Sequence, residues 1–323
     1  MSYQPPFTIT AEIIMLISSI SERIGFVQRD FLDASPRLRK QNRIKTITGT
    51  LQIEGNTLTE AQVSAVLEGK PVRATARELA EVKGAIAAYD KLDTLNPCRL
   101  DDLLMAHRLM MGDVLKQAGV FRHQAVGVYK GRDVVHVAPP AHRVSGLMAD
   151  LFKWIQQTDA HPLIASSVFH YELEFIHPFI DGNGRIGRLW HTLMLAQWQP
   201  LFVDIPLESV IRLYQQDYYQ ALSRADSDAN STAFITFMLK AIQQTLENAP
   251  VNAFVNAPVN INGMKTPDAI MALVQANRAI TRQQMAEIIG KNIRTIGRAV
   301  KSLQEAGKLR RIGSDKTGHW ELI

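Results

Sequence analysis

A histidine, a carboxylate, a glycine-flanked asparagine and two arginines fall within twelve residues of this 323-residue chain. The stretch is His177-Pro178-Phe179-Ile180-Asp181-Gly182-Asn183-Gly184-Arg185-Ile186-Gly187-Arg188. A neutral imidazole takes a proton readily near neutral pH, which makes His177 the candidate general base. Asp181 offers oxygen ligands to a Mg2+ ion, or an N-cap to a following helix. Gly182, Asn183 and Gly184 are small enough for backbone N–H groups to approach an anion closely. Arg185 and Arg188 add planar guanidiniums that suit phosphate oxygens. A metal-dependent phosphohydrolase gathers more acids or histidines around its ions than this stretch supplies.

Such a constellation needs rigid elements on both sides. Leu163 to Ile176 is apolar at helical spacing, and Ile186, Leu189, Leu193 and Ala196 repeat likewise, so a second helix starts near Arg185. The Gly182–Gly184 turn then sits at a helix N-terminus, whose free N–H groups and positive potential favour a phosphate. Phe179 reads as an apolar plug for the loop.

The stretch resembles the signature of the Fic family at each of its fixed positions. That resemblance implies a mostly α-helical bundle that transfers AMP from ATP to a Ser, Thr or Tyr hydroxyl of a protein. It further implies His177 as catalytic base, Mg2+ on Asp181, and the nucleotide held by Gly182, Asn183, Gly184, Arg185, Ile186, Gly187 and Arg188. Arg185 would serve the phosphates near the reaction and Arg188 the γ-phosphate. Relatives of the fold also remove AMP, modify themselves or form homodimers.

Two upstream segments bear on that site. Thr48 to Gln62 contains a helix-stop pair, Gly55-Asn56, and Thr59 with Gln62 has capping-box spacing. Glu54 thus ends a short helix with Thr50 one turn back. Thr50, Glu54 and Gly55 resemble the inhibitory motif of Fic-like proteins, in which the glutamate pairs with the second arginine, here Arg188; a solvated glutamate is the plain alternative. Further on, β-branched residues flank a turn at 130–133, predicting a hairpin through Val126, Gly127, Val128 and Val135. In the family a hairpin here is the flap that holds the target chain as an added strand; otherwise it is a surface hairpin. Tyr214, Tyr218 and Leu222 share one face of an expected helix from Val210 to Arg224, a stripe that suits core packing or, by resemblance, the adenine pocket.

Composition sets the wider frame. Residues 264–323 hold eleven Lys and Arg against five Asp and Glu, which leaves 25 bases and 26 acids elsewhere. The excess basicity therefore belongs to a C-terminal module with its own role. Its pattern, three helical segments and a basic hairpin, resembles a winged helix. Arg294, Arg298 and Lys301 oppose a buried stripe of Ile293, Ile296, Val300 and Leu303, and Arg310 and Arg311 lie in the wing. DNA and protein docking are both open to such a module. The organisation expected is 1–95 N-terminal helices, 96–247 catalytic core, 248–264 a Pro/Asn/Val linker with Ala-Pro-Val-Asn twice, and 265–323 the winged helix. One cysteine, Cys98, excludes an intrachain disulfide framework. With no leader-like N-terminus and no long apolar run, a cytoplasmic protein without a membrane span is expected.

Overall fold

The structure, a computed structural model, describes residues 3–31, 36–130, 133–248, 264–276, 278, 280–312 and 319–323. The Ala-Pro-Val-Asn linker and the wing tip lie outside these. The chain divides into two compact units, residues 1–25 with 37–247, and residues 26–36 with 248–323.

The larger unit is helical. α1 (Ala11–Phe31), of which residues 11–25 belong here, and α2 (Pro36–Ile53), from residue 37, open it, and α3 (Glu60–Leu67) and α4 (Ala76–Tyr89) follow. Capping boxes start the last two: Thr59 with Gln62, and Thr75 with Glu78. α2 is longer than the short helix expected, because Pro36 sits in its first turn, where a missing N–H costs nothing. It stops at Gly55 (φ 88°): Asn56 N–H donates to Leu51 O and Gly55 N–H to Gln52 O, a Schellman closure. α5 (Leu100–Met111) leads to an antiparallel hairpin of β1 (Gly127–Lys130) and β2 (Asp133–Val137), paired Gly127 to Val137 and Lys130 to Asp133.

α6 (Ala141–Gln157) then precedes the central pair, α7 (Pro162–Ile176) and α8 (Asn183–Trp198). Val168, Phe169, Leu173, Ile186, Leu189 and Trp190 on these two helices are all fully buried. At about 25 cal/mol per Å2 of apolar surface, each such side chain stabilises the fold by ~1.5–3 kcal/mol. The loop between α7 and α8 is therefore anchored at both ends in the core. α9 (Leu207–Leu213), α10 (Gln215–Asp228) and α11 (Thr232–Asn248) complete the unit. The single helix expected from Val210 to Arg224 is broken at Tyr214 (φ −107°, ψ 35°), so Tyr214 lies at a junction and shares no regular face with Tyr218.

The smaller unit has α12 (Thr266–Ala276), α13 (Arg282–Ile289), α14 (Ile293–Glu305), and β3 (Leu309–Ile312) antiparallel to β4 (His319–Leu322). Its core gathers Ile270, Leu273, Ile280, Met285, Ile296, Val300 and Trp320. Thr281 caps α13 and Gly290 ends it in the left-handed region. Ile293 departs from expectation: it is the first residue of α14, beyond the core's edge, and it is 46% exposed. Among the described residues no helix is long and apolar enough to cross a membrane.

Candidate active site

His177 caps α7 in the left-handed conformation (φ 50°, ψ 59°), which an L-residue adopts only when its surroundings hold it there. The holding group is Arg122. Its buried guanidinium donates to His177 O at 2.7 Å, Ile176 O at 3.2 Å, Gln124 O at 2.9 Å and Pro139 O at 2.6 Å. Its own N–H donates to Pro178 O. One side chain thus ties both feet of the β1–β2 hairpin to the loop carrying the candidate base. His177 Nδ1 faces Glu174 O at 3.4 Å; a carbonyl only accepts, so a proton there leaves Nε2 as the basic nitrogen of the neutral ring.

The turn beyond His177 is fixed from below. Asn183 accepts from Phe179 N–H and donates to Phe179 O, both at 2.9 Å, closing a small ring around the loop. Phe179 is fully buried and stacks on His107 at 3.7 Å between ring centres. Gly119 N–H donates to His107 Nδ1, so the neutral ring carries its proton on Nε2 and donates it to Asp181 O at 2.9 Å. Burial lowers the His107 pKa to about 4, which keeps this donor neutral at physiological pH. Gly182 enters α8 with φ 89°. The first intrahelical bond runs from Ile186 N–H to Gly182 O, so the N–H groups of Asn183, Gly184 and Arg185 stand at the open N-terminus.

The two arginines go to different acids. Arg185 pairs with Asp181 at 2.8 Å and lies 3.4 Å from Glu81. Arg77 pairs with the same two carboxylates, each at 3.1 Å. Glu81 also accepts from Asn56 Nδ2 at 2.9 Å. Arg188 is 1% exposed; its Nη2 reaches Glu54 Oε1 at 2.6 Å and Thr50 O at 3.1 Å, and its Nε donates to Thr50 Oγ1 at 3.0 Å. Burial opposes the Arg188 charge, but Glu54 and other neighbours outweigh it and raise its pKa. Gly184 makes the pairing possible: a Cβ there would stand 2.5 Å from Glu54 Oε1 and 3.0 Å from Arg188 Nη1. Tyr89 donates to the buried Glu208 at 2.8 Å behind Thr50, and Gln215 Nε2 donates to Ile53 O at 2.8 Å. Together these bonds fasten the end of α2 across the site.

The structure brings His177, Asp181, Gly182, Asn183, Gly184, Arg185 and Arg188 to one place, with Thr50, Glu54 and Gly55 above them. Ile186 is packed into the core and Gly187 backs on to His170. Tyr218 is buried, its hydroxyl 3.2 Å from His170 Nε2. Tyr214 lines a groove beside α11 and accepts from Gln244. Val126 enters the hairpin, Gly127 and Val128 lie on β1 and Val135 on β2. Arg294, Arg298 and Lys301 are exposed on α14, and Arg310 on β3 pairs with Glu321. Arg311 on the same strand lies over the Trp320 ring. Arg122, His107 and Glu81 were not foreseen. No local pattern marks Arg122, whose four acceptors come from separate segments, and His107 blends into the buried stripe of α5.

The donor set suits the groups implied. Among the described residues no cluster of three or more His, Cys, Asp or Glu is placed to hold a metal. Asp181 is partly exposed and stands by the open N-terminus of α8. One carboxylate beside a phosphate cradle is how Mg2+ is commonly held, with substrate oxygens completing its shell.

A profile of the Fic/DOC family matches residues 97–195, which takes in α5, the hairpin and the α7–α8 turn. A protein of Aedes aegypti named protein adenylyltransferase Fic is 32% identical over 209 residues, covering 60% of this chain and 40% of that one. A namesake from Culex quinquefasciatus is 33% identical over 208 residues, again 60% and 40%. The chain thus spans about two fifths of the length of these curated relatives. Among solved structures, Fic-1 of C. elegans shares the fold at TM-score 0.60 and 24% identity, over 73% of this chain and 71% of that one. A Fic family protein from Desulfovibrio desulfuricans G20 is 39% identical at TM-score 0.73, covering 99% of this chain and 98% of that one. With the signature turn inside the family match and a relative aligned along nearly its whole length, the chain belongs to the Fic/DOC family.

Proposed function

We propose that this chain transfers AMP from ATP to a Ser, Thr or Tyr hydroxyl of a protein, and that Glu54 on Arg188 holds the activity down. The observation that carries the reading is the complete twelve-residue stretch running from the α7 C-cap into α8, with Glu54 laid across its last arginine. The curated relatives' name supports it. In the reaction, the target hydroxyl oxygen attacks the α-phosphorus, His177 Nε2 takes the hydroxyl proton, and pyrophosphate leaves. The N–H groups of Asn183, Gly184 and Arg185 meet charge developing on the phosphate oxygens. Asp181 would hold Mg2+, which neutralises charge on the leaving pyrophosphate when bound. Arg185 serves the phosphates near the reaction. Arg188 takes the γ-phosphate, which it does once Glu54 withdraws. The hairpin edge registers the target chain by backbone pairing, so its hydroxyl meets His177.

The test is incorporation of α-labelled ATP with Mg2+ into protein, including self-labelling. Glu54→Gly is expected to label strongly, wild type weakly, and Glu54→Gly with His177→Ala not at all. No label in Glu54→Gly counts against AMP transfer.

A second, compatible activity is binding of duplex DNA by the C-terminal unit. Arg294, Arg298 and Lys301 are exposed on α14, the helix after the α13–Gly290 turn, and the excess basicity of the chain is here. Salt-sensitive retention on DNA that survives His177→Ala and vanishes in Arg294→Glu with Arg298→Glu would support it; retention unchanged by the Glu substitutions would refute it.

A further inference from the structure

Arg77 reaches Asp181 from α4, 104 positions away in the chain. It stands in the first turn of that helix, where the helix dipole favours an acid and disfavours a cation. Helix stability therefore does not account for it, and its partners do. Arg77 Nη2 donates to Asp181 Oδ2 and Nε to Glu81 Oε1, each at 3.1 Å. The other Asp181 oxygen, Oδ1, accepts from Arg185 Nη2 at 2.8 Å and from Gly182 N–H at 2.7 Å. Both oxygens of the carboxylate offered to Mg2+ are thus engaged, and Oδ2 is the one that Arg77 holds.

The two arginines on Asp181 differ in freedom. The Arg185 side chain is 2% exposed and that of Arg77 is 66% exposed. Arg77 can swing into solvent and leave no buried charge behind, since Asp181 is itself partly exposed. Glu81 seats both guanidiniums: its Oε1 takes Arg77 and lies 3.4 Å from Arg185 Nη1, and its Oε2 accepts from Asn56 Nδ2 at 2.9 Å. Asn56 follows Glu54 by two residues, and the N–H and hydroxyl of Thr57 both donate to Glu78, the neighbour of Arg77. The start of α4 therefore grips Asp181 and the segment carrying Glu54 at once.

We propose that Arg77 is a latch on Asp181, a positioning residue that occupies the oxygen a divalent cation would take and yields it when the cation arrives. The proposal rests on the adenylyl-transfer reading, in which Asp181 serves Mg2+. Two cations repel at one carboxylate oxygen, so the guanidinium must leave before the metal enters. An exposed ion pair is weak, so the latch raises the metal concentration the site needs by roughly two- to fivefold and does not close it. Arg77 and Asn56 share Glu81, so the latch is seated while the end of α2 is docked, alongside the hold of Glu54 on Arg188.

The test uses the full chain in the Glu54→Gly background, with and without Arg77→Gln. Each protein is melted during a Mn2+ titration with an ATP analogue that carries a methylene bridge between its α- and β-phosphorus. Affinity for the same analogue in EDTA is measured by calorimetry. Arg77→Gln is expected to reach half of its metal-dependent rise in Tm at roughly two- to fivefold lower Mn2+. Its analogue affinity in EDTA and its ligand-free Tm should be unchanged, and Arg77→Lys, which keeps the cation, should lie between the two. An unchanged Mn2+ midpoint with the analogue bound overturns the latch and leaves the nucleotide reading standing. Weaker analogue binding by Arg77→Gln in EDTA also overturns it, because Arg77 would then be a phosphate ligand. A fall in ligand-free Tm with an unchanged midpoint does the same, because Arg77 would then be a brace. An analogue that neither protein binds, with or without Mn2+, strikes the nucleotide reading and the latch with it.

Discussion

Replacing Arg122 by Met tests whether the hairpin and the base are truly one assembly. The guanidinium satisfies four carbonyls at 2.6–3.2 Å, two on the α7–α8 loop and two at the feet of the hairpin. A hydrogen bond to a charged group contributes ~1.5–3 kcal/mol, and an acceptor left buried without a donor costs ~1–3 kcal/mol. Against this stands the desolvation of a guanidinium, several kcal/mol, which Met relieves. If two of the four carbonyls regain water, the two left without a donor cost ~2–6 kcal/mol before that relief, read as a lower urea midpoint at unchanged slope. The functional effect should exceed the stability effect. His177 stays at φ 50° because its carbonyl is held, and a base displaced by ~1 Å loses on the order of 100-fold in rate. In the Glu54→Gly background, label incorporation should fall by about that factor under conditions where the protein remains folded. A variant within ~0.5 kcal/mol of the parent that labels at the parent's rate would refute the clamp.

Gly49→Ala should loosen the Glu54–Arg188 contact without touching it: its Cβ would stand 2.8 Å from the Glu208 carbonyl carbon and 2.9 Å from Ser209 N, both backbone atoms. The expected result is a stability loss of ~1–3 kcal/mol and higher label incorporation than wild type, and unchanged incorporation would sever that link. Acid should destabilise the fold early. Burial lowers His107 to about 4 and His170 and His191 to about 3, whereas in the unfolded chain they protonate near 6.5. Their contribution is complete above pH 6.5 and is lost as pH falls towards 4, at up to ~1.4 kcal/mol per pH unit for each. Urea midpoints from pH 7 to 4.5 check this, and His191→Leu should flatten the slope by about one such increment.

The site was legible in the sequence to an unusual degree because its parts are local. A histidine at a helix end, a glycine turn and two arginines three residues apart depend on helical period and turn chemistry, which short spacings encode. The same holds for Thr59 and Thr281 as caps. Errors arose where packing overrode period. The stripe Tyr214, Tyr218 and Leu222 assumed one continuous helix, but the break at Tyr214 turns that residue to a groove while Tyr218 goes to the core. The helical period puts Ile293 in the buried stripe, but its position at the first turn of α14 keeps it outside the core.

By itself the sequence determined the candidate residues and their spacing: His177, Asp181, the Gly182–Gly184 turn, and Glu54 as a claimant of Arg188. Tertiary structure decided which acid meets which arginine. Arg185 and Arg188 are equivalent on paper, yet one faces Asp181 and Glu81 and the other Thr50 and Glu54. Side chains three residues apart on a helix diverge by ~60° around its axis, and only the helices packed on each side fix what stands opposite. Arg122 and His107 were invisible for the same reason. A buried cation bonded to four carbonyls from separate segments is a property of where the chain returns, which no local pattern records.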